Sequence, residues 1–238
     1  GSANLEFWET YNAKDVAPYL QAADNKLRNI LANEAPADSV AVDSTAAPVV
    51  AQATSTADSL AAALKGENKA QSVDLAQKEH PLLAVLQVNS SGQGPVVAYA
   101  NYKDTADINK YLSMKEIQAE LPKDLRLKWG VSAYDYDPKG QTFELYAIRS
   151  TERNGRAPLE GDVVVSAKDE YDQFGKPAVS MSMNTDGSRR WAQLTKQNIG
   201  KSIAIVLDGY VYSAPNVNTE ITGGNSQITG HFTPEQAK

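Results

Sequence analysis

The stretch IAIVLDGYVYSAP, from Ile203 to Pro215, decides how the C-terminal part of this chain folds. Ser202 to Leu207 is apolar at nearly every position, which marks a strand buried on both faces and therefore central in its sheet. Asp208-Gly209 follows. This dipeptide is the signature of a two-residue hairpin turn, because both turn positions need positive φ. Tyr210 to Ala214 is the returning strand, and Pro215 ends it. By residue type alone Asp208 is also a candidate acid. A catalytic acid needs burial or a charged neighbour to tune it, whereas a two-residue turn selects Asp for its backbone. The turn reading is preferred, and Asp208 is not assigned as a catalyst or proton carrier.

Outward from this hairpin, Ala178 to Met183 alternates, with Val179, Met181 and Met183 on one face, and predicts a strand. Thr185-Asp186-Gly187-Ser188 supplies capping residues for a helix near Arg189–Asn198, with Trp191 and Leu194 inward and Gly200 as its C-terminal glycine. Val163 to Ala167 reads as a short strand or turn. Gly223-Gly224-Asn225 is a turn, and Gln227 to Phe232 a last strand. The order is β-α-β-β with one further strand. An earlier lobe has the same grammar. It comprises a strand at Val96–Tyr102, a helix at Asp104–Leu121, and strands at Leu125–Tyr134 and Thr142–Arg149 joined by a turn at Asp137–Gly140. Pro81 to Val88 reads as a short helix end or strand. Nearer the start, Ala3 to Tyr11 predicts a strand with Leu5 and Phe7 on one face. Asp15 to Leu31 carries the three-and-four spacing of an apolar helical stripe. The expected fold class is α+β, with mixed or antiparallel sheets, helices packed on one face, and β-α-β-β lobes.

Ala35 to about Ala63 differs in character. It holds no Lys or Arg, and no Phe, Trp or Tyr occurs from Leu20 through Ala98. Such a stretch buries too little to offset its ordering entropy. It is expected to be a flexible loop with a short helix near Thr56–Leu64. The whole chain has 238 residues, 42% hydrophobic and 22% charged, with a formal net charge of -6. That composition suits a globular fold and argues against a dedicated nucleic-acid binder, which would carry a basic stripe. The absence of cysteine excludes disulfides and thiolate chemistry. No apolar run approaches the roughly 20 residues a bilayer requires. Gly1-Ser2 reads as a cloning remnant. Thr233-Pro234-Glu235-Gln236 reads as a helix start with a capping box, cut off at Lys238. The expectation is an excised piece of a larger protein.

A search for chemistry finds no convergent set. His80 and His231 stand far apart, and each is read as structural or surface. No carboxylates flank them at metal-ligand spacing. Asp135 with Asp137, and Asp169 with Glu170, are carboxylate pairs in turn-like or exposed contexts. No Gly-rich phosphate loop joins a strand to a helix, and no G-x-S-x-G elbow occurs. Arg189-Arg190 beside Trp191 falls on the polar face of the amphipathic helix and reads as solvated. Residue by residue, the chain is an α+β binding or scaffold domain with no catalytic, cofactor or metal residues assigned.

Several segments together carry a resemblance. They are Gly175-Lys176-Pro177-Ala178-Val179, Asn184-Thr185-Asp186-Gly187, and Thr195-Lys196-Gln197-Asn198-Ile199-Gly200-Lys201. They continue through Ile203–Gly209, Ser213-Ala214-Pro215 and Ile228-Thr229-Gly230-His231-Phe232-Thr233. In this order and spacing they resemble the large periplasmic domain of SecD and the fused SecDF, accessory membrane proteins of the bacterial Sec translocon. Leu5-Glu6-Phe7 resembles the family's strand just before this region. The likeness covers residues 3–11 and 157–238. It implies a head core at 3–12 and 157–238 with residues 13–156 as an enlarged inserted lobe. Trp191 departs from the family's more usual Phe.

The resemblance implies a non-enzymatic role on the periplasmic side of the inner membrane, within a multi-pass parent protein. There SecD assists proton-gradient-driven translocation of preproteins, with the SecYEG channel and SecF as partners. It implies no cofactor and no nucleic acid. If the domain engages the emerging polypeptide on apolar sheet surface, Met181, Met183, Tyr210 and Tyr212 are the contact residues expected. The alternative of another class is a periplasmic enzyme or a glycan- or peptide-binding module. That alternative requires a cleft where carboxylates with perturbed acidity converge.

Overall fold

The structure is a computed structural model and describes residues 4–34 and 67–229. The loop expected at 35–63 with its helix near Thr56–Leu64, the Gly1-Ser2 remnant, His231 and the helix start at Thr233–Gln236 lie outside the described residues.

Strand β1 (Leu5–Thr10) is covered on both faces, with Phe7 and Trp8 both buried. One edge pairs antiparallel with β9 (Ile203–Leu207). The other edge pairs with β6 (Leu159–Glu160) and with the end of β5 (Thr142–Arg149). β10 (Tyr210–Ser213) follows β9. On the far side of β5 come β3 (Val96–Asn101) and β2 (Gln87–Val88), while β4 (Leu125–Trp129) pairs along β5 as well. Together they form an eight-stranded sheet. A second sheet has three strands in the order β11 (Asn225–Thr229), β8 (Pro177–Met183) and β7 (Val164–Tyr171).

Register fixes what each face touches, because successive side chains alternate. Phe7 opposes Ile205, Glu9 opposes Arg149, and Leu127 and Trp129 oppose Ala147 and Leu145. These residues therefore share one face, and the helices pack there. α1 (Ala13–Glu34), α3 (Thr105–Ser113) and α4 (Lys115–Gln118) bury Val16, Leu20, Leu27, Ile108 and Ile117 against Leu145 and Ala147. α5 (Thr185–Gln197) buries Trp191 and Leu194 against Phe7, Ile203 and Ile205. α2 (Glu67–Glu79) leads the chain back into the fold at His80.

The opposite face carries Trp8, Ile148, Ala204, Val206 and Val211 as a smaller core. It contains no residue of a described helix. Instead the sheet curls over it. After β4 the chain crosses to β10, where Gly130 bridges Val211 in parallel and the Val131 N–H donates to the Val211 carbonyl at 2.9 Å. That crossing ends β4 at Trp129, five residues short of the expected Tyr134. β9 is the interior strand its apolar run indicates, and β10 is its edge partner.

Other departures have local causes. The helix expected over Asp104–Leu121 breaks at Met114, whose extended ψ of 138° separates α3 from α4. The break turns Ile117 into the core, and the Gln118 side chain donates to the freed Leu112 carbonyl. α5 begins at Thr185, because the Asn184 side chain caps it by accepting the Gly187 N–H at 2.8 Å. Gly187 is needed there: a Cβ would meet Val163 Cβ at 2.6 Å. Of Val163–Ala167, expected as a short strand or turn, Val163 closes a 3-10 turn and Val164 starts the eight-residue β7. Pro81–Val88 is a turn that ends in the two-residue β2.

One buried carboxylate ties helix to turn. Asp24 of α1 is fully buried. Its Oδ1 accepts the N–H groups of Leu82 and Leu83 at 3.0 and 3.1 Å, and its Oδ2 meets His80 Nδ1 at 2.8 Å. Asp24→Ala leaves those two donors unpaired and is expected to cost about 2–4 kcal/mol. Asp24→Asn keeps an acceptor and costs less. Urea denaturation of both variants checks the order.

Tyr11 offers a pH-dependent check. Its hydroxyl donates to Asp124, whose carboxylate lies 3.6 Å from Arg149. Burial, then the hydrogen bond to Asp124, push the phenol up to about 12. The unfolded chain loses this proton near the ordinary tyrosine value of about 10, before the folded chain does. The stabilisation is whole below that pH and disappears as pH rises through about 12. Tyr11→Phe is therefore expected to lose less stability than the native chain over this alkaline window, read as denaturation midpoint against pH.

Candidate functional site

The opening hairpin proves to be a backbone device. Asp208 and Gly209 have φ of 50° and 88°, both positive as the two-residue turn demands. Asp208 Oδ1 accepts the Asn4 N–H at 2.9 Å, and the Asp208 N–H donates to the Asn4 carbonyl at 3.0 Å. The turn thereby secures the start of β1. Tyr210, just beyond it, is 51% exposed, and Tyr212 is half-buried.

Met181 and Met183 are placed differently. They are 2% and 7% exposed, within the core that α5 shares with the main sheet. Trp191 sits among them, its ring 5.2 Å from that of Phe7 and its Nε1 donating to Ser226 Oγ at 2.7 Å. The odd-numbered face of β8 is thus the face laid against α5, and both methionines serve packing. The structure does not bring the four expected contact residues into one patch.

What the small sheet does expose was not singled out from the sequence. Val165 and Tyr171 of β7 are exposed, and Phe174 in the β7–β8 turn is 77% exposed. The Asp172 carboxylate accepts the N–H groups of Phe174 and Lys176, each at 2.8 Å, and this holds the phenyl ring outward. An aromatic between Asp172 and Gly175, both turn formers, was the available signal. A second feature is a groove of about 500 Å³ beside Tyr99, Tyr134 and Tyr136. Their rings meet in tilted contacts at centroid distances of 5.1 and 5.3 Å. The alternation Tyr134-Asp135-Tyr136 hinted at it, but only strand pairing adds Tyr99. A third groove, of about 620 Å³, lies beside α5. Its two arginines are paired: Arg156 contacts Glu160 in bidentate fashion at 3.1 and 2.8 Å, and Arg190 meets Asp186 at 3.5 Å.

Asp137 accepts the N–H groups of Lys139, Gln141 and Thr142, and these bonds hold its carboxyl below the ordinary range. A general acid requires the opposite direction. Asp169 and Glu170 lie in succession on exposed β7, so their side chains leave opposite faces. Among the described residues no group of three or more His, Asp or Glu side chains gathers as a metal site, and no helix is long and apolar enough to cross a membrane.

Known proteins resemble this chain. Residues 139–238 match the family described as SecDF, P1 head subdomain. The protein translocase subunit SecD of Rhodothermus marinus is 39% identical over 238 residues, covering 100% of this chain and 35% of that protein. The SecD subunit of Leptotrichia buccalis is 46% identical over 83 residues, covering 35% of this chain and 20% of that protein. A solved structure of SecDF, described as a membrane component that enhances protein export, is 34% identical. It covers 56% of this chain and 51% of that one, with a TM-score of 0.33. The chain thus spans 35% or less of the length of these two SecD relatives. These likenesses support a SecD/SecDF head domain: residues 139–238 match the P1 head subdomain, and the chain resembles a SecD subunit along its whole length.

Proposed function

We propose that this chain is the periplasmic head of a SecD-type translocase subunit and that it transiently engages polypeptides emerging from the Sec channel. The observation that carries this reading is the 39% identity to a SecD subunit along all 238 residues. In this reading the parent protein sits in the bacterial inner membrane beside SecYEG and SecF. It draws on the proton gradient through membrane helices outside this chain, and the head itself is not an enzyme. Residues 3–12 and 157–238 make the head core, and residues 13–156 an inserted lobe.

The exposed groups support contact of low specificity. Val165, Tyr171, Phe174 and Tyr210 are exposed apolar or aromatic side chains spread over the small sheet and the β9–β10 hairpin. Each can bury modest apolar area against a passing chain, at about 25 cal/mol per Å². Contacts of that size release as readily as they form, which suits a helper that must let every client go.

The test is photocrosslinking in membrane vesicles that carry the full-length subunit and an arrested preprotein. A crosslinker at Phe174, Tyr210 or Tyr212 is expected to form adducts with the preprotein, and one at buried Met181 is not. If none of these three positions yields an adduct, polypeptide engagement by this head is refuted.

A further inference from the structure

We propose that the free edge of β7 binds an extended polypeptide segment as a fourth strand of the small sheet, by backbone hydrogen bonding. This deepens the reading of the head as a polypeptide-engaging domain and rests on it.

The hydrogen-bond pattern identifies the groups. The Asp172 N–H donates to the Lys176 carbonyl at 2.8 Å, so 172 and 176 are a bonded pair at the hairpin end. Antiparallel ladders alternate bonded and non-bonded pairs. Glu170, Lys168 and Ser166 therefore bond to β8, across from Ala178, Ser180 and Ser182. The other side of β8 agrees: the Met183 N–H donates to the Gly224 carbonyl at 2.9 Å, which assigns the odd residues of β8 to β11. Ala167, Asp169 and Tyr171 consequently direct N–H and C=O away from the sheet. All three residues are exposed, and β7 is the end strand of its sheet, so among the described residues no further strand pairs with this edge. They form a row of alternating donors and acceptors spanning about 13 Å, at roughly 3.3 Å per residue.

Such a row recognises backbone, so its ligand is any extended chain. A second copy of this chain fits badly. The two-fold antiparallel register that satisfies all three residues pairs 167 with 171 and places Asp169 opposite Asp169. Like charges directly opposite are unfavourable, and the run Lys168-Asp169-Glu170 guards the edge against self-association. A heterologous segment has no such conflict. Tyr171 and Phe174 stand at one end of the row to receive its apolar side chains, and the bulge between Val164 and Ser166 closes the other end. Strand addition of this kind takes its affinity from the main chain and only weak preference from side chains, as a carrier of many different clients requires.

The probe is a blocked peptide of alternating Thr and Val with a lysine at each end, titrated into the 238-residue chain. Binding is expected to slow hydrogen exchange at the amides of Ala167, Asp169 and Tyr171. Methylating two adjacent central peptide nitrogens removes a donor from each peptide edge and is expected to weaken binding about tenfold. Asp169→Pro is expected to do the same. The fold survives it, because the residue 169 N–H is not used by β8 and proline is tolerated on such an edge. If Asp169→Pro unfolds the chain, the methylated peptide alone decides. Binding that is indifferent to both changes overturns strand addition while leaving polypeptide engagement in place. If neither the peptide nor reduced, carboxymethylated lactalbumin binds, both readings fall together.

Discussion

The antiparallel register between Leu5–Glu9 and Ile203–Leu207 is the constraint on which the rest of this structure depends. It joins segments nearly two hundred residues apart. It also sets which core each residue enters. Phe7 and Ile205 face α5, while Trp8 and Ala204 face the interior of the curl. A slip of one residue would exchange the two sets, sending the bulky Phe7 and Ile205 into the smaller core around Ile148 and Val211. Asp208 reinforces the register from outside, through its paired hydrogen bonds with Asn4.

From that register the functional surfaces follow in layers. β1 and β9 present Phe7, Ile203 and Ile205, and α5 lies on them through Trp191 and Leu194. The small sheet lies on α5 in turn, through Met181, Met183 and Ile228. Those residues belong to β8 and β11. β7 therefore overhangs as the outermost strand, with seven of its eight residues exposed. The burial that makes the two methionines structural is the same arrangement that leaves Ala167, Asp169 and Tyr171 open. The proposed polypeptide-binding edge lies one strand away from the two methionines that alternation alone singled out.

Residues 13–156 are woven into the same main sheet. β5 pairs with β3 and β4 along its length and reaches β1 at Ile148 and Arg149. The lobe built around α1 and α3 thus shares a sheet with the strands next to α5. Its helices occupy the same face, so the two packed regions adjoin across one layer of strands. At the join, the Arg149 guanidinium lies over the Tyr11 ring and Tyr11 bonds to Asp124.

Much of the secondary structure was legible in the chain because local rules decide it. The apolar run Ile203–Leu207 announced a strand buried on both faces. Asp208-Gly209 announced a turn that needs positive φ twice, and the three-and-four spacing over Asp15–Leu31 announced α1. β7 was read too short. Lys168-Asp169-Glu170 has weak strand propensity, and a strand exposed on both faces shows no alternation; pairing to β8 holds it. The break at Met114 lies in one extended backbone angle and the early start of α5 in the Asn184 cap, and periodicity registers neither. The sequence by itself determined where most strands, helices and turns lie, and that the likeness to SecD runs through the C-terminal motifs. Only the tertiary structure decided that the sheet curls at Gly130, that Met181 and Met183 are inside, and that β7 is the open edge. Those outcomes depend on pairings between distant strands, and a pattern within one segment carries no information about which neighbour will cover it.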